Sequence, residues 1–140
     1  MKSLIDCVRD FVMQYPELKE ESVLGVDYLG DTATEYCVEA VPSTPIFRQY
    51  TDGDCLKQFL FVFASREWYS ADVVQNTENL AFYEDFGNWI REQNLNGDLP
   101  DLDGREPISI EVLTGGYVFD ADAKTARYQM QLRLIYHEEE

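Results

Sequence analysis

The apolar run Phe59–Ala64, within the segment Cys55–Tyr69, constrains the fold more than any other part of this 140-residue chain. In an extended strand the three phenylalanines of this run share one face, and the three other apolar residues of the run point to the opposite face. A strand that is apolar on both faces must be covered on both, which predicts a central strand of a sheet. Ile46–Tyr50 and the Asp-Gly turn sequence Thr51–Asp54 precede this segment and predict a β-hairpin whose second arm is buried.

Composition predicts a single domain over residues 1–140 that is large enough to bury a hydrophobic core. The sequence is 45% hydrophobic and 14% aromatic, and both values exclude a disordered chain. Its formal net charge of −16 disfavours binding to the phosphate backbones of nucleic acids and to anionic membranes. The charge fits a solvated surface, a surface that nucleic acid slides past, or one that imitates nucleic acid.

The three cysteines, Cys7, Cys37 and Cys55, are an odd number without a close pair. This spacing fits neither a disulfide framework nor a zinc site and predicts reduced thiols in a cytosolic protein. Asp6 and Asp10 stand where a signal peptide requires an apolar run, and no segment approaches the roughly 20 apolar residues of a membrane span. We therefore expect a soluble, intracellular protein with no membrane partner.

Periodicity along the chain predicts an α+β fold: a mixed or antiparallel β-sheet built from hairpins, with two main helices packed on it. The first helix has its apolar face between Leu4 and Tyr15, with Ser3 as its cap and Pro16 as its stop. The segment Ser22–Leu29 stays ambiguous between a loop and a strand. The second helix is predicted over Thr77–Asn94, with Asn76 or Thr77 as its cap, and the remaining strands over Thr34–Val41, Ile108–Val112, Tyr117–Phe119 and Thr125–Tyr136.

The strand predicted over Thr125–Tyr136 alternates cleanly between apolar and polar residues. Its inward residues are expected to be Tyr128, Met130, Leu132, Leu134 and Tyr136, and its outward residues Arg127, Gln129, Gln131 and Arg133. A strand with one polar face is half solvated or faces another subunit.

The residue inventory offers no catalytic centre. His137 is the only histidine of the sequence, and no nucleophile is predicted within hydrogen-bond reach of it. Asp120 and Asp122 lie in a predicted hairpin turn, where nothing apolar surrounds them to shift a carboxyl pKa. Gly115-Gly116 leads into strand residues rather than into a helix, unlike a phosphate-binding loop. We therefore expect no enzyme activity and no cofactor.

The acidic loop Asp98–Glu106 contains part of the pattern of a calcium-binding EF-hand loop. Asp101, Asp103 and Gly104 match the third, fifth and sixth positions of that loop, but its first and last ligand positions are filled by Leu99 and Ile110. Asp and Gly are also frequent in such loops because turns favour them. The loop predicts no dedicated metal site, and an adventitious cation there stays open.

Five stretches in order along the chain resemble the tail terminator proteins of long-tailed bacteriophages and prophages, which are also described as minor capsid, tail-completion or head–tail joining proteins. No stretch is a catalytic signature, so the resemblance lies in the ensemble. The stretches are GVDYL at Gly25–Leu29, FRQYTDGD at Phe47–Asp54, NLAFYEDFGNWI at Asn79–Ile90, DLP at Asp98–Pro100 and IEVLTGGYVFDADAKTARYQMQLRLIY at Ile110–Tyr136.

The resemblance implies a small α+β protein that assembles as a homo-oligomeric, hexameric ring. Such a ring caps the tail tube, contacts the tail-tube protein and presents the docking face for the head-completion or connector protein. It implies a place in the virion, at the head–tail interface, after assembly in the cytoplasm of the bacterial host. DNA would pass through the lumen without specific binding, and no active site or cofactor is implied.

Four residues are expected on or near a subunit contact of this ring: Tyr117, Phe119, Arg127 and Arg133. A ring requires two different patches on each subunit, and the two arginines are expected to pair with acids of a neighbouring subunit. The alternative function is that of an acidic DNA mimic, or another protein-binding module, that inhibits a nucleic-acid enzyme. Such a mimic would present carboxylates spaced like phosphates on one exposed face.

Overall fold

The computed structural model describes residues 2–18, 24–27, 29, 35–50, 55–122 and 124–138 and is an α+β fold. Within these residues seven strands form one sheet and two helices form a layer on it, so the predicted α+β fold class is confirmed. The helices are α1 (Leu4–Val12) and α2 (Val73–Asn96), and the strands are β1 (Leu24–Val26), β2 (Glu35–Val41), β3 (Ile46–Gln49), β4 (Cys55–Trp68), β5 (Glu106–Val112), β6 (Tyr117–Ala121) and β7 (Thr125–His137).

The long strand β4 lies at the centre of the sheet, as the apolar run predicts. The strand order is β1-β2-β4-β7-β5, with β3 paired to the start of β4 and β6 paired to the first half of β7. The β1–β2 pair is parallel and the other pairs are antiparallel. The predicted hairpin is present as β3 and β4, and its Asp-Gly turn sequence lies outside the described residues.

Both helices pack on the same face of the sheet, around a cluster of aromatic rings. Phe63 of β4 lies 4.5 Å from Phe86 of α2, between ring centroids. The Tyr15 ring lies 5.1 Å from Phe86, and the Phe11 ring of α1 lies 5.1 Å from Trp89 of α2. The buried aromatic and aliphatic side chains of this layer form one cluster that joins α1, α2 and the sheet.

The opposite face of the sheet has no helix on it within the described residues, and we call it the open face. Strand alternation and register place on it Cys37 and Glu39 of β2, Leu60, Val62 and Ala64 of β4, Arg127, Gln129, Gln131 and Arg133 of β7, and Tyr117 and Phe119 of β6. Val62 and Ala64 are nevertheless buried. The prediction that both faces of β4 are covered is therefore confirmed at these positions, where long polar side chains of neighbouring strands lie around the apolar residues.

The helix ends differ from the predicted ones. α1 begins after Ser3, whose hydroxyl accepts a hydrogen bond from the N–H of Asp6, and this cap is confirmed. α2 begins at Val73 rather than at Thr77, because the carboxylate of Asp72 accepts the N–H of Val74 at 2.9 Å. The β-branched Val73 and Val74 obscured this start in the sequence, since such residues favour strands. Neither described helix is long and apolar enough to cross a membrane.

The alternation predicted for the last strand is confirmed. The five apolar residues of β7 that were expected to face inward are at most 5% exposed: Tyr128, Met130, Leu132, Leu134 and Tyr136. Gly116, in the connection between β5 and β6, brings the chain close to α2. A Cβ atom built on Gly116 would lie 2.4 Å from Cβ and Cγ of Tyr83, so only glycine fits at this position.

Candidate interaction surface

The four residues predicted to lie near a subunit contact belong to the open face, and three of them are neighbours. The Tyr117 hydroxyl accepts a hydrogen bond from Nε2 of Gln129 at 2.7 Å. The Phe119 ring, on the same strand, is 60% exposed and lies 5.2 Å from the guanidinium carbon of Arg127. Arg133 lies six residues further along β7, about 20 Å from Arg127 at about 3.4 Å per residue.

Arg127 is held by a carboxylate of its own chain. Its two terminal nitrogens donate to the two carboxylate oxygens of Glu39 at 3.0 and 2.7 Å, and its Nε donates to Oε1 of Gln129 at 3.2 Å. The hydrogen bonds from Arg127 lower the pKa of Glu39, and Glu39 in turn raises the pKa of Arg127. Bidentate geometry of this kind fixes the plane of the guanidinium.

Arg133, on the same strand, is also held by a carboxylate of its own chain, that of Glu111 on the neighbouring strand β5. Its Nε and one terminal nitrogen donate to Oε2 of Glu111 at 3.0 and 2.6 Å. Its guanidinium carbon lies 4.9 Å from the centroid of the Phe47 ring. Both arginines therefore have a carboxylate partner and an aromatic partner within the chain, and neither one depends on acids of a neighbouring subunit for a partner.

Sequence reasoning missed Glu39, Glu111 and Phe47 as members of this surface. Alternation in β2 places Glu39 opposite to the buried Tyr36, which is a local signal that it faces outward. Its contact with Arg127, however, spans 88 residues and depends on the order of the strands. A single sequence contains no signal for that order, so these partners were not accessible from it.

The thiol beneath this surface is chemically inert. Cys37 is buried, and its burial raises the pKa of the thiol to about 12. The thiol donates a weak hydrogen bond to Oε1 of Glu39 at 3.8 Å. A buried thiol with a raised pKa stays protonated at neutral pH and is not a nucleophile. Cys7 and Cys55 are also buried and free of disulfides.

The carboxylates considered earlier for chemistry serve as turn residues. One oxygen of Asp122 accepts the backbone N–H groups of Lys124 and Thr125, at 2.9 and 2.8 Å, and these bonds lower the pKa of Asp122. In the acidic loop, Asp101 accepts the N–H of Asp103 at 3.0 Å. Within the described ranges, no three His, Cys, Asp or Glu side chains stand close enough together to hold a metal ion.

The open face carries side-chain types that are common in recognition surfaces. Arginine and aromatic side chains are the types enriched in protein–protein interfaces, where their flat groups bury area and donate directed hydrogen bonds. No protein-family model matches this chain, and no curated protein matches its sequence.

The Glu39–Arg127 pair makes the stability of the protein depend on pH. Because the pKa of Glu39 is lowered in the folded protein, its ionised carboxylate stabilises the fold. This stabilisation is complete above the ordinary carboxyl pKa of 4.5 and is lost as the pH falls below that pKa. We expect Glu39→Gln to lower the free energy of unfolding at pH 7 by about 1 kcal/mol, since the pair is half-buried. Urea unfolding from pH 7 to pH 3 measures this difference.

The difference between Glu39→Gln and the unsubstituted protein is expected to shrink below pH 4.5, as Glu39 itself becomes neutral. Glu84→Gln is the matched control, because Glu84 lies exposed on α2. It removes the same charge and is expected to have no comparable effect at pH 7. A difference for Glu39→Gln that stays constant down to pH 3 would show that the ion pair does not stabilise the fold.

Proposed function

We propose that this protein is a structural component of a phage or prophage tail, of the tail-terminator type. It caps the tail tube as a homo-oligomeric ring of six chains and forms the docking surface for the head-completion or connector protein. The observation that supports this proposal is the open face, which carries two ordered arginines and exposed aromatic rings and has no helix on it within the described part of the chain. A surface of that composition suits contact with another protein subunit.

The distribution of charge supports the same role. A formal net charge of −16 on each chain gives an assembled ring a strongly negative potential. DNA that passes through such a ring finds few attractive phosphate contacts to retard it. A reaction catalysed at the open face is not part of the proposal, because its arginines bind carboxylates and its buried thiol is protonated.

The proposal is tested by mass in solution. Size exclusion with light scattering is run on the protein alone and after mixing with the tail-tube protein of the same phage or prophage. We expect a mass of six chains, either in the protein alone or on the tube protein, since partner binding can drive assembly. Electron microscopy of capped tubes would then show the ring at one end.

A matched pair of variants connects this assembly to the open face. Phe119→Ser removes an exposed ring of the open face, whereas Met13→Ser removes a side chain of similar exposure after α1. Only Phe119→Ser is expected to weaken assembly. A monomer that tube protein leaves unchanged, and that instead competes with DNA for a basic DNA-binding enzyme, would reject the terminator and favour the DNA mimic.

A further inference from the structure

Helix α2 presents a second surface that differs in charge from the open face. One side of this 24-residue helix is exposed along its whole length, at alternating spacings of four and three residues that keep the side chains on one line. We call this line the α2 stripe. It consists of Val74, Glu78, Ala81, Asp85, Asn88, Glu92 and Leu95, all of them exposed.

The acids of the α2 stripe have the same spacing as the arginines of the open face. Glu78 and Glu92 are 14 residues apart, which is about 21 Å at about 1.5 Å per residue in a helix. Arg127 and Arg133 are six residues apart, which is about 20 Å along β7. A helix lying along β7 would therefore set one carboxylate on each guanidinium.

The ends of the two surfaces also match in polarity. Beyond its outer acids the α2 stripe ends in Val74 and Leu95, which are 66% and 87% exposed. On the open face each arginine has an exposed ring beside it, Phe119 at one end and Phe47 at the other. An apolar side chain at each end of the helix would thus meet an aromatic ring.

The arginines have donors left for a second carboxylate. Arg127 uses three of its five N–H groups on Glu39 and Gln129, and Arg133 uses two on Glu111, among the hydrogen bonds of the described residues. The partners that orient each guanidinium lie within the sheet. The remaining donors are therefore already positioned when a second acid arrives, which lowers the entropy lost on binding.

We propose that the α2 stripe of a second copy of this chain packs along β7 on the open face, with its outer acids on Arg127 and Arg133. This contact covers the sheet with helices on both faces, a common layered architecture. It joins two different patches, so successive copies associate head to tail, which produces a ring when the rotation closes. The inference rests on the proposed ring and names the surfaces that build it.

The charge part of this contact is tested with Glu78→Lys/Glu92→Lys. Each acid-to-lysine change raises the net charge by two, so the matched control is Glu17→Lys/Asp98→Lys, at two exposed acids outside the α2 stripe. Sedimentation equilibrium is measured in 0.05 to 1 M NaCl, alone and with tail-tube protein. We expect the α2 variant to associate at least tenfold more weakly than the control, with the difference shrinking as salt increases.

The geometry is tested with engineered cysteines. Asp85 is the midpoint of the α2 stripe and Gln131 lies near the midpoint between the two arginines, so they meet whichever way the helix runs. Asp85→Cys and mass-tagged Gln131→Cys are mixed under mild oxidation and are expected to form mixed disulfide dimers. Asp98→Cys with the same partner is the control. The native cysteines are buried in the structure.

The outcomes separate this inference from the proposed function. Rings that form equally well with Glu78→Lys/Glu92→Lys and with its control would overturn the α2 contact and leave the terminator role standing. Mixed disulfides no faster with Asp85→Cys than with Asp98→Cys would overturn it as well. A wild-type chain that stays monomeric both alone and with tube protein would reject the proposed function and this contact together.

Discussion

Replacing Gly116 with alanine is expected to lower the free energy of unfolding by about 3 kcal/mol, because the new methyl group has no room. Its Cβ would lie 2.4 Å from Cβ and Cγ of Tyr83, and the first of these atoms is fixed to the backbone of α2. The Tyr83 side chain cannot turn away without loss. Its buried hydroxyl lies 2.5 Å from Oγ of Ser65 and donates to the carbonyl oxygen of Tyr128 at 3.1 Å.

The loop that holds Gly116 is also anchored on its own side. The N–H of Leu113 donates to the carbonyl oxygen of Gln131 at 2.8 Å, and the Thr114 hydroxyl accepts the N–H of Gln131 at 3.1 Å. The clash is therefore relieved only by breaking the hydrogen bonds of the Tyr83 hydroxyl or those that anchor the loop to Gln131. Strain on both sides is what distinguishes this position from an ordinary loop glycine.

Gly115→Ala is the control for this prediction, since no atom lies within 4 Å of a Cβ built there. It is expected to change the free energy of unfolding by less than about 0.5 kcal/mol. Guanidinium unfolding of both variants, with the midpoint and the slope compared, measures the difference. Equal stability of the two variants would show that the loop moves away from Tyr83 at little cost.

The sequence predicted the parts of this fold that depend on local periodicity. The six apolar residues of Phe59–Ala64 identified the central strand, and alternation in the last strand identified which of its residues are buried. The start of α2 was misplaced because the carboxylate of Asp72 caps the helix ahead of two β-branched residues that favour strands. Local preference and the capping interaction disagreed there, and the cap determined the helix end.

The candidate surface was only partly predictable. Alternation alone placed Arg127 and Arg133 on the polar face of their strand, and the structure keeps them there. Their partners Glu39 and Glu111 lie on β2 and β5, on either side of the central strands, and the pairing follows from strand order rather than from spacing. Pairing of the two arginines with acids of a neighbouring subunit stays a prediction, because the same-chain carboxylates leave N–H groups of both guanidinium groups unused among the hydrogen bonds of the described residues.

Replacing Phe63 with alanine is expected to cost about 4 kcal/mol of unfolding free energy, the largest loss among the substitutions considered. The Phe63 ring is fully buried and contacts the rings of Tyr36, Phe82, Tyr83 and Phe86, so its removal leaves a cavity where β2, β4 and α2 meet. These rings lie on β2 and α2, whose backbones limit how far the rings can move into the space. Guanidinium unfolding followed by tryptophan fluorescence, with Trp89 in the same layer, measures the loss.

Phe119→Ala is the matched control, because it removes the same side chain from a ring that is 60% exposed. Its expected cost is below about 1 kcal/mol, since it loses mainly the stacking of Arg127 on an exposed ring. The effects on assembly are expected in the opposite order. At a temperature well below its unfolding midpoint, Phe63→Ala is folded and still forms rings. Phe119→Ala keeps its stability but forms rings poorly. If both variants lose assembly only in proportion to their lost stability, the open face has no specific part in the contact.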